Sequence, residues 1–75
     1  MDDESRAEFS VYGFYADGAR AFTRRWLHAK NAVEVAHRCI WLADRFDNFI
    51  DRVIITDGGD CTAFEWQRDK GITFK

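Results

Sequence analysis

The period of the hydrophobic pattern changes twice along this chain, and that change constrains the fold more than any single residue does. From Ala32 onward, Ala32, Val35, Ala36, Cys39, Ile40, Ala43 and Phe46 recur at three- and four-residue spacing. They fall on one face of a helix that the spacing predicts to run to about Asp47. Asn31, with Glu34 after it, has the form of a capping box and places the helix start there. Glu34, His37, Arg38, Asp44 and Arg45 take the opposite, polar side, and Trp41 projects with them.

On both flanks of this segment the period is that of a strand. Glu8 to Ala16, EFSVYGFYA, is rich in Phe, Tyr and Val and ends at Asp17-Gly18, a hairpin signal. Arg20 to Leu27, RAFTRRWL, follows as its partner strand. After Asn48, IDRVIIT reads as a third strand and DGGD as a turn, in which the glycines are expected to take positive φ. CTAFEWQR then alternates, with Thr62, Phe64 and Trp66 on one side and Cys61, Ala63, Glu65 and Gln67 on the other. Asp69-Lys70-Gly71 turns the chain again, and Ile72 and Phe74 are expected to continue the inward pattern. The order β-β-α-β-β-(β) gives an α+β fold: a small antiparallel sheet with one helix packed on one face. The other face is left uncovered.

A chain of 75 residues is one domain, and at this size folding removes only about 60% of the unfolded surface from water. Residues 1–7 read as an acidic, disordered tail and residues 8–75 as the domain. With 47% hydrophobic and 16% aromatic residues the chain has ample apolar surface to bury, which excludes disorder as a whole. No run reaches the roughly 18 apolar residues of a membrane span. The opening MDDES has the wrong charge for a signal peptide, so a soluble, cytoplasmic protein is expected. Cys39 and Cys61 are too few for a disulfide framework and are expected to be reduced.

Chemistry is thinly represented. An enzyme needs a convergent acid, base or nucleophile, whereas His37 lies on the polar helix side, His28 in the turn before it, and Cys61 at the start of a strand. Zinc would need four ligands, and Cys39, Cys61, His28 and His37 include no CxxC or HxxxH pair. In TDGGDC, Asp57 and Asp60 offer two carboxylates where calcium takes about six oxygens or more. A phosphate cradle would need a helix N-terminus after the glycines, and a strand follows instead. The expectation is no enzyme, no metal and no cofactor.

Binding is better represented. On the second strand Phe22, Arg24 and Trp26 share one side by alternation, and Ala21, Thr23, Arg25 and Leu27 the other. On the first, Tyr12 and Phe14 oppose Phe9, Val11 and Tyr15. Tyr12, Phe22, Arg24, Arg25, Trp26 and Trp41 are therefore the candidate partner-binding residues, because exposed aromatics with arginine supply most interface hot spots. Self-association through the open sheet face is the simplest version. Asp44, Asp47, Asp57, Asp60 and Asp69 form a second, acidic candidate surface. Single-stranded nucleic acid stacked on Tyr12, Phe22, Arg24 and Trp26 is the alternative. The formal net charge of −2 opposes it.

In length, acidic balance and element order the whole chain is similar to small bacterial and phage-encoded proteins, anti-CRISPR proteins among them. The resemblance rests on no residue motif and carries over no site residue. It implies a non-catalytic inhibitor that binds a larger, nucleic-acid-handling complex.

Overall fold

The structure is a computed structural model and describes residues 6–46 and 50–74. The chain forms β1 (Phe9–Tyr15), β2 (Arg20–Leu27), α1 (Ala29–Phe46), β3 (Ile50–Thr56), β4 (Thr62–Gln67) and β5 (Gly71–Phe74). Five antiparallel strands make one open sheet in the order β2-β1-β3-β4-β5, with α1 across one face, as the α+β reading expects. Most of the expected tail, and Asp47, lie outside the described residues.

Helix α1 begins three residues earlier than the capping-box reading places it, its cap moving from Asn31 to His28. The first helical bond runs from the Ala32 N–H to the His28 carbonyl at 2.9 Å, which makes His28 the cap and leaves Asn31 inside the first turn. The sheet forces this: β2 ends at Leu27, so the chain must reverse at once, and Ala29 and Lys30 are strong helix formers. The apolar stripe faces the sheet as its period requires. Ala32, Ala36 and Ala43 are fully buried, and their small side chains let the helix approach closely. They meet Val11, Val53, Ile55 and Trp66, with Phe9, Phe22, Val35, Cys39, Ile40 and Phe64 packed around them.

Two contacts fix the layers. Gly13 sits opposite Phe22, whose ring lies where a Cβ on residue 13 would stand. Arg68 donates to the carbonyls of Ala43 and Ile50 at 3.1 and 2.8 Å, tying the last turn of α1 to the start of β3. The carbonyls that end a helix lack partners within it, so Arg68 serves as a side-chain cap.

Strict alternation fails at two places. Between Phe9↔Leu27 and Val11↔Arg24, β2 carries an extra residue, and Trp26 takes φ of 61° in this bulge. Leu27 thereby returns to the helix side, where it packs on the core, rather than sharing a side with Arg25. In β5, Ile72 pairs with Trp66 and Phe74 with Glu65, so the shift of register puts the two on opposite sides. Both are exposed, which corrects the expectation that they point inward.

Candidate functional site

Residues directly opposite on antiparallel strands share a face of the sheet. Tyr12 lies between Thr23 of β2 and Ile54 of β3, and Phe14 between Arg20 and Arg52. This is the face away from α1. Tyr12 and Phe14 stack along β1 with centroids 6.4 Å apart and planes 26° apart. Arg20 and Arg25 both reach over the Tyr12 ring, at 5.2 and 5.8 Å, and Arg52 over Phe14 at 5.0 Å. Each such contact contributes about 0.5–1 kcal/mol where water has access, enough to bias a long side chain toward one pose.

Glu65 sits at the side of this cluster, 3.9 Å from Arg52, and accepts a hydrogen bond from the Gln67 amide at 2.7 Å. The Thr23 hydroxyl, opposite Tyr12, is shielded from water with no hydrogen-bond partner among the described residues. The face is therefore closely packed although no helix covers it. What it presents to a partner is three guanidiniums held over two rings, of which Arg52 also lies beside Glu65.

The structure does not bring the six partner-binding candidates together. Tyr12 and Arg25 lie on the uncovered face. Phe22 and Arg24 pair with Gly13 and Val11 and so face the helix, Phe22 within the core margin and Arg24 at the rim of a cleft. Trp26 stands out from the bulge at the sheet edge, 75% exposed. Trp41 is on the outer surface of α1 with Arg45 over its ring at 5.3 Å. Arg20 and Arg52, which complete the cluster, were not among the candidates. Period-two alternation aligns Arg52 with Ile54 and Thr56, but only the strand order puts Arg52 beside Phe14.

The acidic candidates are likewise divided. Asp57 and Asp60 are in the β3–β4 turn, whereas Asp69 follows β4 at the end of the sheet where the Arg68 N–H meets the Asp51 carbonyl. Asp44 is near that second end, in the last turns of α1. The length of β3 separates the groups by about 20 Å at the usual strand rise. In TDGGDC the Asp57 carboxylate accepts the N–H groups of Gly59 and Cys61 at 2.9 and 3.0 Å. Asp57 thus organises the turn. The positive φ, 62°, belongs to Asp60 and not to either glycine, since Asp is among the few side chains that tolerate it.

The groups that catalysis would call on lie apart. His28 caps α1, His37 is exposed on its outer side, and the exposed Cys61 thiol lies 3.8 Å from the Gly59 carbonyl. Cys39 is half-buried, and desolvation raises its thiol above the ordinary value, which suppresses the thiolate. Among the described residues no three His, Cys, Asp or Glu side chains gather as a metal site would need. No helix of the described chain is long and apolar enough to cross a membrane. No protein-family model, no curated protein and no solved structure matches the chain.

Proposed function

We propose that this chain is a non-catalytic binding module whose uncovered sheet face docks an acidic surface of a partner protein, blocking that surface as a small inhibitor does. The carrying observation is the placement of Arg20, Arg25 and Arg52 over Tyr12 and Phe14. A ring contact uses none of a guanidinium's N–H donors, so Arg20 and Arg25, in no ion pair among the described residues, can still pair with carboxylates, whereas Arg52 lies beside Glu65. Ordering them in advance lowers the entropy lost on binding. Two-fold self-association through this face would oppose arginines to arginines, so the charge favours a different, acidic partner over a second copy.

Immobilised wild type is expected to capture a protein from its native host that the Arg20→Glu/Arg25→Glu variant loses. Salt should elute that protein and nuclease should not. Capture unchanged by the double reversal would overturn the reading.

Single-stranded nucleic acid is the second reading, favoured by the stacked Tyr12 and Phe14 rings on β1. Its weakness is that the arginines occupy the ring surface a base would take. Fluorescence anisotropy of a labelled single-stranded oligonucleotide at low salt separates the two: binding that Tyr12→Ala abolishes would favour the nucleic acid.

A further inference from the structure

Helix α1 lies over β3 and β1 and only grazes β2, and along that margin the two layers part. The cleft between them holds about 430 Å³, within the range of small-molecule sites. Leu27 from β2 and Val35 and Leu42 from α1 give it an apolar lining, with Cys39 among them. Arg24 and Arg38 reach it from opposite walls, one from the strand and one from the helix. Neither forms an ion pair among the described residues, although Glu34 lies one helical turn before Arg38 on the same wall. The cleft therefore combines an apolar floor with the guanidiniums of two exposed residues.

We propose that this cleft is a binding site for a small amphipathic carboxylate, its head held between Arg24 and Arg38 and its hydrocarbon body on Leu27, Val35 and Leu42. Two forked donors suit an oxyanion. Glu34 at the same wall repels a second negative charge, which selects a monoanion over a phosphate dianion. The neutral thiol of Cys39 suits an apolar body beside it. This site lies on the helix side of the sheet and is independent of the uncovered face, so either reading can fail alone.

The test uses the full chain carrying Cys61→Ser, so that Cys39 is the sole thiol, with octanoate as the probe. Calorimetric titration should show saturable, one-site binding, and bound octanoate should slow alkylation of Cys39 by N-ethylmaleimide. Octanol and octylammonium should do neither, and octyl phosphate should bind more weakly than octanoate. Arg24→Gln and Arg38→Gln, both at solvent-exposed positions, should each weaken octanoate about tenfold, the loss of one charged hydrogen-bonding partner, without lowering the ligand-free melting temperature. The proposal is overturned by the absence of saturable heat at millimolar octanoate. It is equally overturned if octanol protects Cys39 as well as octanoate does, or if both arginine variants bind like the parent.

Discussion

At Gly13 the absence of a side chain is a packing requirement, since a methyl there would occupy the space of the Phe22 ring. Gly13→Ala is expected to lower stability by about 1–3 kcal/mol in urea unfolding, the usual cost of overpacking a filled site. Adding Phe22→Leu should return part of that loss; a simple sum of the two losses would mean that the ring is not the obstacle. Trp26 is the opposite case, a bulky residue held at φ of 61° with its indole largely in water. The left-handed region costs a β-carbon residue about 1–2 kcal/mol, and Asn tolerates it better. Trp26→Asn should therefore unfold no earlier than the wild type in a thermal melt, and a marked loss would show that the indole packs. Neither residue could be assigned from the sequence. Gly13 needs the register that sets it against Phe22, and Trp26 needs the bulge that takes it off the side it would share with Phe22 and Arg24 under strict alternation.

At the scale of elements, α1 was legible because seven apolar residues repeat with the helical period over several turns, and the strands because short alternating runs are bounded by Gly and Asp. The helix start was not, because Asn31 and Glu34 make a good local cap while the end of β2 at Leu27 decides where the chain must turn. The helix end depends on a residue far along the chain. Arg68 holds the Ala43 and Ile50 carbonyls from the β4–β5 side, a link that no local pattern announces. Arg68→Met keeps the apolar stem and removes the donors. It should lower the free energy of unfolding by about 1–3 kcal/mol, as hydrogen bonds from charged groups do, and speed amide exchange in the last turn of α1. Unchanged exchange there would show that the clamp is dispensable.

For the whole molecule, the fold class followed from element order, but the grouping of charge did not. Arg20 and Arg52 lie far apart in the chain and meet only because β1 stands between β2 and β3. The same order sends Asp57 and Asp69 to opposite ends of the sheet. Burial of Cys39 also gives the fold a pH dependence. Its folded thiol titrates above the ordinary 9.0, so as pH rises past that value the unfolded chain releases the proton first. Stability from this group is whole below pH 9 and drains away as pH climbs through the folded value. The gap in urea midpoint between wild type and Cys39→Ala should therefore narrow in alkaline buffer; a constant gap would mean that the thiol titrates alike in both states.

Each pairing in the sheet joins strands that follow one another in the chain, except β1 with β3, which β2 and α1 separate. The molecule is thus a hairpin and a three-stranded meander meeting at one seam, where Val11 faces Ile55 and Gly13 faces Val53. Parting at that seam leaves every local pairing whole and bares two edges with matching register. In a concentrated solution a neighbour's meander fits the vacated place with the same contacts, so the connection that closes a monomer also permits two chains to trade halves. Slow refolding at high concentration should accordingly yield an exchanged dimer, separable by gel filtration, whose near-ultraviolet dichroism is that of the monomer.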